Sequence, residues 1–361
     1  MKGLVLSRYA LIGCAMALLA GCGGSQPPIG APGAMPRSLG GTGNPVLKEY
    51  IVRNVKLDDL YELAFDGAGD LWFSSFYPYL GKMLPDGRIT AHALPEKRNN
   101  YGYDSVFAMT TAPDGNVWFT DYYTRTLGLI KNGQISQYNP CIRSGFCGWT
   151  AGIVSTRQRL WVVMTGPGSG AYSGNLAEVT TKPKVVKTIR LPGGYCYPQP
   201  MAMGQANTFW IGDSANCPQI QRVTADGKIT NFPIVAADGV WSIVKGPDGN
   251  MWFTAADGPK INAWVGKITP GGQITKFPIT DQGDGIALGP DGNWWITQPF
   301  VGHIISMNLQ GQIVNDYKLP HAFNGSQPRF QVVGIVKGPD GNMWFAEGYR
   351  NKIGELVFSH K

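Results

Sequence analysis

Four carboxylates stand where a repeating sequence would place them around a common opening. Asp121, Asp213 and Glu347 directly follow tryptophan-centred strands, and Asp284 stands at the head of a strand. By the same spacing Ser75 and Gln298 share the first of these positions, and Tyr61, Phe107 and Trp241 share the second. Acids mixed with aromatic rings around a concave mouth suit a cationic or polar cyclic small molecule, a peptide or a glycan. The same carboxylates would equally serve to cap backbone N–H groups or stay solvated, a choice that burial decides. Acid–base chemistry would in addition need a group of suitable pKa within hydrogen-bond reach of the substrate. Of the four histidines, His92 falls in an outer strand, His303 between the second and third strands of a repeat, and His360 at the end of the chain. His321 lies in the long stretch from Pro320 to Gln331, which opens on the same face and also carries Arg329. His321 is therefore the candidate base, with a solvated loop histidine as the competing reading.

These placements depend on a unit written seven times around tryptophan: GDLWFSS at Trp72, GNVWFTD at Trp118, QRLWVVM at Trp161, NTFWIGD at Trp210, GNMWFTA at Trp252, GNWWITQ at Trp295 and GNMWFAE at Trp344. The spacings of 46, 43, 49, 42, 43 and 49 residues, with about four short strands per unit, are those of propeller blades. Pro-Asp-Gly-Asn at 113–116, 247–250, 290–293 and 339–342 supplies hairpin turns between strands a and b, with Pro presetting φ and Gly accepting φ > 0. A second set, at 85–87, 132–133, 225–227 and 271–272, joins strands c and d. The last unit ends at Glu355-Leu356-Val357 without a d strand, and Leu47 to Val52 has the d-strand pattern. The chain thus reads as an all-β, seven-bladed β-propeller over 46–361, closed by an N-terminal strand that completes the last blade and removes two open edges. The tryptophans, at a fixed offset from a turn, are read as packing between blades.

Residues 1–21 carry Lys2 and Arg8, then an apolar run from Tyr9 to Ala20 too short to span a bilayer comfortably, the pattern of a signal peptide. Leu19-Ala20-Gly21-Cys22 resembles a bacterial lipobox. It implies cleavage before Cys22 and attachment to a membrane through lipid on that residue, hence an exported lipoprotein on the periplasmic face of an outer membrane or at the cell surface. Residues 22–45, rich in Gly and Pro, have little to bury and read as a flexible tether. With Cys14 lost with the signal, Cys141, Cys147, Cys196 and Cys217 remain. An even count in an exported chain points to disulfides, here 141–147 and 196–217; the zinc alternative lacks any CxxC spacing. The net charge of +7, from 31 Lys and Arg against 24 Asp and Glu, is scattered along the chain. Without basic residues interleaved with aromatics it argues against a nucleic-acid partner. A monomer is expected.

Gly338-Pro-Asp-Gly-Asn-Met-Trp-Phe345 followed by Asn351-Lys-Ile-Gly354 resembles the streptogramin B lyase (virginiamycin B lyase) family of seven-bladed propellers, over about residues 46–361. The resemblance implies a carbon–oxygen lyase that opens a cyclic depsipeptide at its ester by elimination, with a His base and Mg²⁺ held by Glu. The family motif of the last blade is Glu-Pro-His-Gly-Ile, then Glu just after Trp-Phe-Thr. The matching stretches here are Gln331-Val332-Val333-Gly334-Ile335 and Trp344-Phe345-Ala346-Glu347. Val333 thus occupies the base position and Gln331 one metal-ligand position, Glu347 is the metal ligand retained, and a second family His aligns with Asp284. Valine cannot accept a proton, so the expectation is a ligand- or partner-binding module that kept the fold and lost the base. The alternative is an Mg²⁺-dependent carbon–oxygen lyase or lactone hydrolase with rearranged groups, drawing on Glu347, Asp284, Asp121, Asp213 and His321.

Overall fold

The computed structural model describes residues 45–54, 56–95, 106–140, 148–168, 171–182, 184–192, 197–214, 218–234, 239–256, 263–320 and 332–359. The expectations placed on Cys22, Cys141, Cys147, Cys196, Cys217, His321 and Arg329 lie outside these residues.

The chain forms seven four-stranded antiparallel blades, the first six running a, b, c, d in sequence order and the seventh taking its strand d from the start of the chain. Blade 1 is β2 (Leu63–Phe65), β3 (Leu71–Ser74), β4 (Tyr79–Met83) and β5 (Ile89–Ala93). Blade 2 is β6 (Val106–Thr111), β7 (Val117–Asp121), β8 (Thr126–Lys131) and β9 (Gln134–Tyr138). Blade 3 is β10 (Trp149–Ser155), β11 (Arg159–Gly168), β12 (Ala171–Thr180) and β13 (Val185–Leu191). Blade 4 is β14 (Tyr197–Met203), β15 (Thr208–Ser214), β16 (Gln219–Thr224) and β17 (Ile229–Pro233). Blade 5 is β18 (Gly239–Lys245), β19 (Met251–Ala256), β20 (Ala263–Ile268) and β21 (Ile274–Pro278), joined to blade 4 by the single bridge Ser214–Gly239. Blade 6 is β22 (Ile286–Leu288), β23 (Trp294–Gln298), β24 (His303–Met307) and β25 (Ile313–Lys318). Blade 7 takes β26 (Ile335–Lys337), β27 (Met343–Glu347) and β28 (Lys352–Val357) from the end of the chain and β1 (Val46–Ile51) from its beginning. β1 pairs antiparallel with β28 from Val46–Val357 to Ile51–Lys352, so the expected clasp is present.

The Pro-Asp-Gly-Asn turns do more than reverse the chain. In blade 5 the Asp248 carboxylate accepts the Asn250 backbone N–H at 3.2 Å, the Asn250 side-chain amide at 2.8 Å and the Trp252 indole N–H at 3.2 Å. The same arrangement recurs at Asp291 and Asp340, and Gly249, Gly292 and Gly341 take the left-handed φ of 79°, 77° and 82° that such a turn requires. One carboxylate thus fixes both the hairpin and the tilt of the tryptophan. The indole then stacks on the aromatic residue of strand d in its own blade: Trp252 on Phe277, Trp210 on Phe232 and Trp344 on Tyr50. Contacts between blades, such as Trp252 with Trp294 and Trp161 with Phe209, complete the packing. The tryptophans therefore serve their own blade as well as its neighbour.

The residue after the tryptophan explains a second motif. Phe73, Phe119, Phe253 and Phe345 lie directly opposite Gly81, Gly128, Gly266 and Gly354 of strand c. A Cβ on any of these glycines would fall inside the phenyl ring. Where the residue after Trp is Val162, Ile211 or Ile296, the opposing residue is Ala177, Gln221 or Ile305. Ring and missing side chain come as a pair, as close packing demands.

Candidate functional site

Strand a begins and strand b ends at the same edge of each blade, as the pairs Val106–Asp121, Tyr197–Ser214 and Gly239–Ala256 show. This edge, with the loops d to a and b to c, forms one face of the propeller and carries the expected residues. Asp121, Asp213, Asp284 and Gln298 are fully buried there, Glu347 and Phe107 nearly so, Trp241 is 9% exposed and Tyr61 is half-buried. His92 and His303 are elsewhere: His92 packs in β5 against Trp72, and His303 opens β24 with its Nδ1 2.8 Å from Asp316 Oδ1.

Most of the buried acids are held by their own blade. Asp121 accepts the Thr124 backbone N–H at 3.2 Å and the Gln137 amide at 3.1 Å, which caps the b-to-c turn and ties it to strand d. Asp213 Oδ2 accepts the Gln219 amide at 2.7 Å. Gln298 donates to the Asp281 carbonyl at 2.9 Å. The Asp284 backbone acts between blades, its carbonyl accepting the Thr254 hydroxyl at 2.7 Å. Capping, one of the two roles open from sequence, is therefore realised at Asp121.

Some buried polar atoms on this face have no hydrogen-bond partner within the protein: Asp213 Oδ1, Gln298 Oε1 and Glu347 Oε1 at the ends of three b strands, with Trp241 Nε1 and Ser242 Oγ in blade 5. Buried polar groups are almost always satisfied, so such atoms are where a water, an ion or a ligand would find a hydrogen-bond partner. Burial is also the first cause of the shift at Asp213, whose pKa rises from the usual 3.8 to about 7 against the lowering effect of hydrogen bonds from Gln219 and Gln221. The folded protein therefore holds this proton where the unfolded chain releases it. Its stabilising effect is complete below 3.8 and is lost as pH rises to about 7. Replacing Asp213 with Asn is expected to stabilise the fold by roughly 2–4 kcal/mol at pH 8 and to make little difference at pH 3.5, measured by denaturant unfolding at both values.

The metal position is different. Burial, then the nearby Glu49 carboxyl of β1, holds Glu347 well above the usual carboxylate range. Glu49 in turn lies 3.0 Å from the Lys352 ammonium. Among the described residues no group of three His, Cys, Asp or Glu is placed to hold a metal ion, and a lysine ammonium stands beside the carboxyl pair. The described residues do not fit an Mg²⁺ site around Glu347. The base position fits no better: Val333 is 1% exposed and packs among Leu57, Leu60, Leu63 and Trp344.

Glu49, Gln219 and Gln221 escaped the sequence reading. The signal for the first was available, because Glu49 and Gln137 both immediately precede the strand-d aromatic, Tyr50 or Tyr138. In each case that residue interacts with the last residue of strand b, Glu347 or Asp121.

The family model described as the virginiamycin B lyase family matches residues 48–261 and 148–361. None of the curated proteins is similar enough in sequence to match. Among solved structures, selenomethionine-substituted virginiamycin B lyase from Staphylococcus aureus is 25% identical, with a TM-score of 0.71 over 87% of this chain and 99% of that one. A catalytically inactive form of virginiamycin B lyase from Staphylococcus aureus, solved with quinupristin, is 26% identical, with the same TM-score and coverage. The extracellular domain of a hybrid two-component system from B. thetaiotaomicron shares the fold alone, at 14% identity and a TM-score of 0.62 over 85% of this chain and 42% of that one.

Proposed function

This chain belongs to the virginiamycin B lyase family, and on that premise we propose that it is an exported, lipid-anchored propeller that binds a ligand at its channel face without opening it. The observation that carries this reading is the pairing of a core valine at the base position with unsatisfied polar atoms on Asp213, Gln298 and Glu347. Binding needs donors and acceptors waiting on a rigid rim, which strand ends of three blades supply. Elimination needs a proton acceptor as well, and Val333 is not one. The indole N–H of Trp241 and the amide of Gln298, on the same face, suit a polar cyclic molecule, a peptide or a glycan. Export and anchoring rest on the charged, apolar and small-residue order of residues 1–21 and on Cys22.

The test is a thermal-shift panel of cyclic depsipeptides, cyclic peptides and oligosaccharides against the unaltered chain and the double variant Asp213→Ala, Gln298→Ala. At least one class is expected to raise the melting temperature of the unaltered chain, to lose that effect in the variant and to be recovered chemically intact. A shift that survives the double variant, or a panel without any shift, overturns the reading.

A further inference from the structure

We propose that the corner of blade 3 carrying Arg157, Arg159, Lys182, Lys184 and Lys187 is a docking surface for an anionic membrane. In this proposal the corner and the tether together seat the propeller with its channel face turned away from the bilayer. The inference rests on the lipid-anchored reading above only for the second point of attachment.

The corner is built by a departure from the turn chemistry of five of the other blades. Blades 1, 2, 5, 6 and 7 place Asp66, Asp114, Asp248, Asp291 and Asp340 in the a-to-b turn, each bonded within that turn. In blade 3 the turn reads Thr156-Arg157-Gln158-Arg159, and Thr156 replaces the aspartate: its Oγ accepts the Arg159 N–H at 3.0 Å and donates to the Arg159 carbonyl at 2.9 Å. The c-to-d turn is held in a similar way by the Thr180 hydroxyl, which donates to the Lys182 carbonyl. Both turns are thus formed without an acid, and Arg157, Lys182 and Lys184 are exposed. Arg159 pairs across the sheet with Thr180, which brings the two turns to the same edge of the blade. Glu178, 3.0 Å from Arg159, offsets one of the charges.

Position completes the argument. Strand d of every blade starts at the edge with the a-to-b and c-to-d turns and runs toward the channel face. The first residue of β1, Val46, opposite Val357 at the end of β28, is therefore on the same side as the basic corner. Blade 7, where the tether enters, and blade 3 are separated by two blades in one direction and three in the other, so the two points lie nearly across the propeller from each other. A tether on one side and a polybasic corner on the other give the propeller two points of attachment to a negatively charged surface, because each basic residue near anionic lipid adds favourable energy that salt screens.

The experiment uses the chain from residue 22 bearing Cys22→Ser, which retains every described residue and carries no lipid. Cosedimentation is measured with vesicles of pure phosphatidylcholine and with vesicles containing phosphatidylglycerol at low salt. The chain is expected to bind the anionic vesicles on the order of tenfold more tightly, and the triple variant Arg157→Gln, Lys182→Gln, Lys184→Gln is expected to lose that preference. A charge-matched control on the opposite face, Arg53→Gln, Arg190→Gln, Lys318→Gln, is expected to keep it. If the unaltered chain has no preference for anionic vesicles, or the control triple loses as much binding as the corner triple, the proposal fails. Neither result depends on whether Cys22 is lipidated, which is read separately from the mass of the membrane-extracted protein.

Discussion

Gly266→Ala is expected to destabilise the protein by about 3 kcal/mol, at the upper end of what an added methyl group costs in a packed interior. The added Cβ would fall inside the ring of Phe253, which lies directly opposite on strand b and is fully buried. The strand cannot move outward freely, because its neighbour on the other side, β21, carries Phe277 in a stack with Trp252. Blades 3, 4 and 6 point to the remedy: each has an aliphatic residue where blade 5 has Phe253 and a side chain where it has Gly266. Adding Phe253→Ile to Gly266→Ala is therefore expected to recover at least half of the loss in a denaturant-unfolding double-mutant cycle. If the two single losses simply add, the steric account of the Phe–Gly pair is wrong.

Tyr50→Ala is expected to cost roughly 3 kcal/mol and to expose the seam of the propeller to protease. Tyr50 is where the clasp strand is held most firmly. Its ring stacks on Trp344 at 5.6 Å, its hydroxyl donates to Glu355 Oε2 at 2.8 Å, and Gly87 of the next blade lies near the ring. Glu355 is buried and also accepts the Asn342 amide at 2.6 Å, so the clasp strand is tied to the Asp340 turn through one carboxylate. Burial, then Glu355, pushes the Tyr50 pKa up to about 12. With the unfolded phenol near 10, the contribution of Tyr50 is complete below pH 10 and is lost as pH rises to 12. Tyr50→Phe removes the bond to Glu355 and should remove that alkaline loss along with it, whereas Tyr50→Ala should also shorten the lifetime of the strand against limited proteolysis.

The fold could be read from the sequence because its determinants are local and repeated. A Pro-Asp-Gly-Asn turn two residues before a tryptophan, present in four units, needs no tertiary information to be recognised, and seven tryptophan units leave little freedom in how they are arranged. Closure by β1 was legible for the same reason, since an unpaired last blade and a surplus first strand share one pattern. The site was less legible, because the role of an acid at a strand end is decided by a residue from another strand. Asp121 and Asp213 read equally as ligand-facing acids or as solvated or capping ones until Gln137 and Gln219 are seen to reach them. Glu347 read as a surviving metal ligand until Glu49, some 300 residues earlier in the chain, is seen beside it. Charge behaved likewise: Arg157 and Lys184 are distant in sequence, and two hairpin turns of one blade bring them to one edge. Composition alone shows only a modest positive excess.

The proposal that the chain binds without elimination is tested most directly by incubating it with quinupristin and Mg²⁺ and separating the products by chromatography, which is needed because elimination opens the ester without changing the mass. The cyclic compound is expected to be recovered unopened, and restoring the family residues with Val333→His and Gln331→Glu is not expected to suffice while Glu49 stays beside Glu347. Mg²⁺-dependent ring opening by the unaltered chain would contradict the account.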